Sequence, residues 1–259
     1  MDNRSARADL PRAESPTTKE SDPRPLVVLD PGHGGIDTGT KGPSGEEEKD
    51  IVLNFAQRLR DRLEKSGKYR VLLTRTDDTF VTLADRVRIA RDAGATLFVS
   101  IHADSLPHGE GDAQGASIYT LSDTATDSEA ARLAEKENRA DVIAGVDLKS
   151  EPDDVASILI DLAERETKSF STQFAHKLAG EMKAVTRMHK KPLKSAGFRV
   201  LRAPDVPSVL VELGYVSNRQ DLQSLSSETW RSRTADSMAQ AIETFLSSHM
   251  AGGHNTGSN

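Results

Sequence analysis

Apolar residues along the chain form short runs of strand length, separated by stripes at helical spacing. The runs predict six strands, at Leu26–Leu29, Tyr69–Arg75, Thr96–Asp104, Gly115–Leu121, Phe198–Arg202 and Ser208–Gly214. Between them, apolar positions that recur every three or four residues predict helices, the first of which carries Ile51, Phe55, Leu59 and Leu63. Alternation of strands with helices is typical of α/β proteins. We therefore expect one α/β domain built on a mixed, mostly parallel central sheet with helices on both faces.

One segment interrupts this alternation. From about residue 122 to residue 168 no strand is predicted, and two helical stretches are joined by AGVDLKSEPDD, which is rich in helix breakers. The first stretch is DSEAARLAEKENRADVI, and the second begins near Asp153. We interpret residues 122–168 as a helical insertion at one edge of a domain that spans residues 26–250.

The two ends of the chain have a different composition. Residues 1–25 are rich in charge, Pro, Ser and Thr, and burial of their few apolar side chains cannot offset the entropy of ordering them. Residues 251–259, AGGHNTGSN, have the same character. We expect a disordered linker at the start, left after removal of an upstream targeting segment or domain, and a disordered tail at the end.

Composition narrows the classes of function. The chain has 259 residues, a hydrophobic fraction of 36% and a formal net charge of -6, without the stripe of Lys and Arg that binds nucleic acid. No apolar run approaches the roughly 18 residues of a membrane span. Cys is absent, which removes disulfides, thiolate ligands and Cys nucleophiles. Any metal must therefore be held by His and carboxylates.

Four polar residues lie at or near the predicted strand ends, where open α/β sheets gather their functional sites. His33 lies in DPGHGG after the first strand, His102 lies in FVSIHAD, and Glu212 lies in VLVEL. Glu48 comes just before the first long helix. Two His and one carboxylate, with one position left open, form a ligand set expected of catalytic zinc.

Each of these residues also has a purely structural explanation. His33 could be a turn residue, a buried His102 would need only a hydrogen-bond partner, and acids such as Glu48 are common at helix N-termini. Glu212 is harder to explain in this way, because Glu is rarely buried unpaired and its strand should be covered on both faces. The Gly-rich stretch could instead cradle phosphate, but it lacks the Gly-Lys-Ser/Thr ending of a P-loop.

Six longer motifs follow one another between residues 26 and 249: VVLDPGHGGIDTG, EEEKDIVLNFAQRL, LTRTDDTFVTLADRVRIAR, LFVSIHADS, GASIYTLS and DVPSVLVELGYVSN. In this order they resemble the zinc-dependent N-acetylmuramoyl-L-alanine amidases of the Amidase_3 type. The resemblance implies cleavage of the peptidoglycan amide between the lactyl group of N-acetylmuramic acid and the L-Ala that begins the stem peptide. It also implies one zinc ion held by His33, Glu48 and His102, with Glu212 as the catalytic glutamate. Asp30 could hold an imidazole or only the turn.

The insertion resembles a more specific feature. Amidases of Gram-negative cell division carry a helical insertion that covers the active site, and partner proteins with LytM-type domains relieve the block. The stretch SEAARLAEKENRADVIAGV is similar to that regulatory helix. The resemblance implies an autoinhibited, periplasmic enzyme of septal wall splitting, and we expect a monomer. A surface hairpin without a regulatory role is the alternative.

We expect an acid of the insertion to be the inhibitor. A carboxylate would satisfy the fourth position of zinc and exclude substrate. The candidates are Glu129, Glu135 and Glu137, and Glu129 is preferred because it lies in the first turn, nearest the strand that leads into the insertion. An activator would bind apolar residues of the second inserted helix, which are Ile158, Leu159 and Leu162.

Two other functions fit part of this pattern. A zinc peptidase that cuts within the stem peptide would use the same ligands, and a catalytically silent wall-binding module would keep zinc for structure. Glu212 argues against the silent module, since a structural site needs no additional buried carboxylate. Masses of digested muropeptides separate the amidase from the peptidase, because only the amidase leaves sugar chains free of peptide.

Overall fold

The computed structural model describes residues 22–105, 114–145 and 158–253, without the side chains of residues 158–163 and 249–253. Within these ranges one sheet contains β1 (Leu26–Pro31), β2 (Arg70–Leu73), β3 (Leu97–His102), β4 (Ala116–Leu121), β5 (Met188–Ala196) and β6 (Ser208–Glu212). The order across the sheet is β2-β1-β3-β6-β4-β5. All neighbouring strands are parallel except β4 and β6, which are antiparallel. The predicted mixed, mostly parallel sheet is confirmed.

The helices of the described ranges are α1 (Glu48–Glu64), α2 (Leu83–Asp92), α3 (Ser128–Glu137), α4 (Ala140–Ile143), α5 (Ile158–Met182), α6 (Arg219–Ser226) and α7 (Glu228–Gly253). Two separate clusters of buried apolar side chains lie on the two faces of the sheet. One cluster packs α1, α5 and α7 against the strands, and the other packs α2 and α3 against the opposite face. Helices therefore cover both faces, as the sequence predicts. None of the helices described is long and apolar enough to cross a membrane.

One of the predicted strands is wrong, and β5 was not predicted. Within Phe198–Arg202, predicted as a strand, Arg199–Leu201 form a 3-10 turn. The sixth strand is instead β5, with the sequence MHKKPLKSA, and it lies at the edge of the sheet. Lys and Pro are common in edge strands, which pair on one side only and tolerate a residue without an N–H. A search for apolar runs misses such a strand.

The insertion follows β4. Helices α3 and α4 correspond to the first predicted helical stretch, and residues 146–157, between α4 and α5, lie outside the described residues. Helix α5 is continuous from Ile158 to Met182, so residue 168, the predicted end of the insertion, falls inside a helix. Residues 1–21 and 254–259, within the predicted linker and tail, are also outside the described ranges. Helix α7 itself continues to Gly253.

A buried ion pair fixes the strand ends that carry the candidate residues. Asp30, near the end of β1, has no exposed surface. Its Oδ1 accepts a hydrogen bond from Arg86 Nη1 at 2.6 Å and another from Thr74 Oγ1 at 2.6 Å. Its Oδ2 accepts one from Ser100 Oγ at 2.7 Å. Burial alone would raise the pKa of Asp30, but the Arg86 guanidinium and the two hydroxyls lower it below its ordinary value.

Replacing Asp30 by Asn should lower the free energy of unfolding at neutral pH by about 3–5 kcal/mol, because the buried Arg86 loses its counter-charge. The control Arg88→Met removes an exposed ion pair with Asp85 on α2 and should cost less than about 1 kcal/mol. Urea unfolding curves measure both changes.

The cost of Asp30→Asn should also depend on pH. Because the pKa of Asp30 is lower in the folded chain than in the unfolded chain, its charge contributes fully above about pH 4. That contribution is lost as the pH falls through the folded-state pKa. The stability gap between the wild type and Asp30→Asn should therefore narrow in acid, and a gap that stays constant with pH would contradict this explanation.

Candidate active site

The three predicted ligands come together at the carboxyl ends of neighbouring strands. His33 follows β1, His102 ends β3, and Glu48 is the first residue of α1. One possible ligand atom from each lies within 4.8 Å of the others, and all three residues are buried. Glu48 Oε1 is 3.2 Å from His33 Nε2 and 3.3 Å from His102 Nδ1. The group could hold a metal ion.

The loop after β1 leaves room for these side chains. Of the described residues other than Gly, only His33 has a positive φ, 59°, which is an uncommon conformation that turns the chain sharply. A Cβ added to Gly39, whose φ is 63°, would lie 2.7 Å from both His33 Cδ2 and Glu48 Oε2. A Cβ added to Gly32 would lie 2.3 Å from His102 Cε1. Gly32 and Gly39 are therefore needed for the close approach of the three side chains.

Asp37 orients His33, a role that the sequence analysis did not predict. Its Oδ2 lies 2.8 Å from His33 Nδ1, which assigns the Nδ1 proton to this hydrogen bond and turns Nε2 toward Glu48. Asp30 was considered for this role, but it binds Arg86 instead and supports the turn. The hint in the sequence was an acid four residues after His33 in the same Gly-rich loop.

Glu48 is fixed as a carboxylate. Its Oε1 accepts a hydrogen bond from Ala103 N at 2.9 Å, and its Oε2 accepts one from Thr40 N at 3.0 Å. Burial would raise the pKa of Glu48, but the charge of the neighbouring His33 and the hydrogen bond with His102 lower it well below its ordinary value. The carboxylate is thus held in place by the backbone and is ready to bind a cation.

Glu212 is buried at the end of β6, in register with His102 on β3. Its Oε2 accepts a hydrogen bond from Asp104 N at 2.9 Å, whereas its Oε1 has no hydrogen-bond partner within the described part of the chain. Burial, followed by the carboxylates of Asp104 and Glu48, raises the pKa of Glu212 well above its ordinary value. One oxygen is therefore fixed, and the other is free to exchange a proton.

The insertion places Glu137 against the two imidazoles. Glu137 is the last residue of α3 and is buried. Its Oε2 lies 3.3 Å from His102 Nδ1 and 3.6 Å from His33 Nε2. Of the three acids considered for this position, Glu137 is the one that reaches it.

The preference for Glu129 was wrong. Glu129 Oε1 accepts a hydrogen bond from Tyr215 Oη at 3.0 Å, and its Oε2 lies 2.9 Å from Lys194 Nζ. Glu135 is exposed and pairs with Arg139. Helix α3 lies on one face of the sheet and runs from β5 toward the end of β3, so its last turn reaches the imidazoles, although its first turn is nearer to β4 along the chain.

Polar contacts near the end of α3 hold it over the site. Lys136 Nζ donates hydrogen bonds to Asp104 Oδ1 and, at 2.9 Å, to Thr40 Oγ1. Asn138 donates to Gly197 O at 2.9 Å through its side chain. A small pocket lined in part by Glu137 and the two imidazoles has a volume of about 10 Å³, which is at most the space that one water needs. Both imidazoles are buried within the described part of the chain.

The charges of the site suit a bound cation. His33 Nε2 is buried and makes no hydrogen bond with any residue of the described ranges. Burial would lower the pKa of His33, but the carboxylates of Glu48 and Glu137 raise it well above its ordinary value. A divalent cation would balance this excess of negative charge. Two imidazoles and a carboxylate are a donor set typical of zinc.

Comparison with known proteins assigns the class. Residues 27–244 match Amidase_3, the N-acetylmuramoyl-L-alanine amidase family, and the chain belongs to this family. It is a hydrolase that degrades peptidoglycan as an N-acetylmuramoyl-L-alanine amidase, as the sequence predicts.

Individual relatives agree with this assignment. The chain is 38% identical over 232 residues to the N-acetylmuramoyl-L-alanine amidase AmiA of Salmonella typhimurium, a match that covers 89% of this chain and 79% of AmiA. It is also 38% identical over 225 residues to AmiC of Escherichia coli O6:H1. This match covers 86% of this chain and 53% of AmiC. The structure is similar to the amidase AmiC2 of Nostoc punctiforme, with a TM-score of 0.60, 28% identity and coverage of 86% and 97%.

Proposed function

We propose that this amidase depends on one zinc ion and that its own insertion holds it inactive. The observation that carries the proposal is the convergence of Glu137 from α3 with His33, Glu48 and His102 in a group whose four side chains are all buried. His33, Glu48 and His102 would hold the zinc, and Glu137 would take the remaining position.

Zinc bound to these residues would polarise the scissile carbonyl and lower the pKa of the attacking water. Glu212 would accept a proton from this water as the water oxygen bonds to the lactyl carbonyl carbon. Glu212 would then deliver the proton to the nitrogen of L-Ala as the carbon–nitrogen bond breaks. Its Oε1, which has no hydrogen-bond partner within the described residues, suits this transfer while Asp104 N holds Oε2. Asp37 would keep His33 in the ligating tautomer.

An activator would switch the enzyme on by drawing α3 away. The outer face of α3 and α4 offers a surface for it, because Val142 and Ile143 are 54% and 58% exposed and lie beside Arg132 and Arg139. We propose a partner with a LytM-type domain. The side chains of Ile158, Leu159 and Leu162, predicted as its docking face, lie outside the described part of the structure.

The likeness to AmiA and AmiC of Gram-negative bacteria supports a place of action. We propose that the enzyme acts in the periplasm on septal peptidoglycan during cell division. A zinc peptidase acting within the stem peptide would need the same ligands, but membership of the amidase family favours the muramoyl amide.

Replacing His102 by Ala should abolish stoichiometric zinc, because the site loses one of its two imidazoles. The matched control is His176→Ala, which removes an exposed imidazole from α5 and should leave the zinc content at one per chain. Elemental analysis of the purified proteins measures the effect. Undiminished zinc in His102→Ala would refute the ligand assignment.

Replacing Glu212 by Gln should keep zinc and fold but lower kcat by about a hundredfold or more, because the amide cannot accept the proton. Glu166→Gln, which changes an exposed acid on α5, is the control and should leave kcat unchanged. Mass spectrometry of digested peptidoglycan also identifies the bond that is cut. Near wild-type release of peptide by a zinc-loaded Glu212→Gln variant would assign the proton transfer to another group.

Replacing Glu137 by Ala should raise the activity measured without an activator. A lost contact to a charged group is worth about 1.5–3 kcal/mol, which shifts the balance toward the open state by roughly tenfold to a hundredfold. The control Glu135→Ala removes an exposed acid two positions away and should leave the activity without an activator unchanged. Release of dye-labelled peptidoglycan measures both. Equal basal activity of Glu137→Ala and the wild type, at equal zinc content, would exclude inhibition through this carboxylate.

A further inference from the structure

The first turn of α3 places a second carboxylate in a pocket of its own. Glu129 precedes Glu137 by eight positions, which is about 12 Å along a helix. Its Oε2 lies 2.9 Å from Lys194 Nζ and 3.7 Å from His189 Nε2, and its Oε1 accepts the hydrogen bond from Tyr215 Oη at 3.0 Å. One carboxylate of the insertion thus accepts a hydrogen bond from Tyr215 and lies at ion-pair distance from Lys194 and His189, all of which belong to the body of the domain.

Lys194 has no exposed side-chain surface, and both of its counter-charges come from the insertion. They are Glu129 and Asp127, the N-cap of α3, whose Oδ2 lies 3.5 Å from Lys194 Nζ. A buried ammonium group without a counter-charge is strongly destabilising. When α3 leaves the site, both acids leave with it, and Lys194 loses both of these carboxylate partners.

We propose that Lys194, His189 and Tyr215 form a binding site for a carboxylate of the substrate peptide, which Glu129 occupies in the closed state. This inference rests on the proposed function. The carboxyl group of N-acetylmuramic acid is consumed in the scissile amide, so the muramoyl side offers no negative charge there. The peptide keeps at least its C-terminal carboxylate, and its charge and shape match those of the Glu129 side chain.

The distances fit a peptide that starts at the reacting centre. The donors Lys194 and His189 lie on β5, three strands away from β3, and strands are about 4.8 Å apart, which gives a separation of roughly 14 Å. An extended peptide covers about 3.3–3.6 Å per residue. The site would therefore bind a carboxylate carried by roughly the third or fourth residue after the scissile bond.

Helix α3 would then block both ends of the peptide subsite with one rigid element. Glu137 lies where the reacting amide would bind, and Glu129 lies where the peptide carboxylate would bind. Substrate and insertion would compete for the same donors. Binding of the peptide would therefore stabilise the open state in addition to any activator.

The test uses two soluble substrates, a muramoyl tetrapeptide with free peptide carboxylates and the same compound with those groups as carboxamides. All variants carry Glu137→Ala so that the site is open. Adding Lys194→Met should raise KM for the free-carboxylate substrate by about tenfold or more, because the substrate loses a contact to a charged group. Relative to the Glu137→Ala parent, Lys194→Met should change kcat, and KM for the carboxamide substrate, by less than about twofold. The control Lys190→Met replaces an exposed lysine of the same strand and should leave KM and kcat unchanged for both substrates.

Two additional measurements keep the test decisive. Tyr215→Phe, which removes only the hydroxyl, should also raise KM for the free-carboxylate substrate. This variant replaces Lys194→Met if Lys194→Met does not fold. Calorimetric titration of the released tetrapeptide measures binding without turnover, and Lys194→Met should weaken it for the free-carboxylate form only.

The outcomes separate this site from the proposed function. Equal effects of Lys194→Met on both substrates, or none on either, would overturn the carboxylate site and leave the Glu129 contact as a latch of α3. If the Glu137→Ala parent cleaves neither substrate, the proposed function fails, and the titration alone then decides the site. Loss of tetrapeptide binding in Lys194→Met would support the site in that case, and unchanged binding would overturn it.

Discussion

The rest of the structure depends on the burial of opposite charges at one edge of the sheet. Four acids, Glu48, Asp104, Glu137 and Glu212, are removed from water beside two imidazoles, and such burial is costly unless each charge is balanced. Lys136 balances part of this negative charge through its ion pair with Asp104. The remaining negative charge around the imidazoles would be balanced by a divalent cation. The proposed zinc chemistry and the proposed closure by α3 both follow from this one electrostatic requirement.

The same requirement explains how the closed state could be reversible. Helix α3 packs its apolar side on the sheet and is also held by charged and polar contacts at its two ends, at Glu129 and around Lys136 and Glu137. Each of these polar contacts has an alternative partner in water or substrate. Moving such an equilibrium from 1:99 to 99:1 takes about 5.5 kcal/mol of differential binding. A partner that binds the exposed apolar residues of α4 could supply this free energy without reshaping the sheet.

The parts of the site that follow apolar runs were predictable, because a His or Glu at the end of a buried strand is conspicuous. His102 and Glu212 are of this kind. His33 and Glu48, which the sequence analysis grouped with His102 as ligands, lie beside it in the structure. The edge strand β5 was not predictable from apolar runs, since its residues are polar. The choice between Glu129 and Glu137 failed for another reason. It depends on the direction in which α3 crosses the strands, and periodicity along one helix does not determine that direction.

A crystal structure of the zinc-loaded protein, with anomalous diffraction recorded at the zinc edge, tests the central claim most directly. The claim is that the insertion closes a zinc site by adding one of its own carboxylates. The predicted result is a single zinc ion bound by His33, Glu48 and His102, with Glu137 as the fourth ligand. Zinc bound elsewhere, or zinc bound to these three residues with water in place of Glu137, would contradict it.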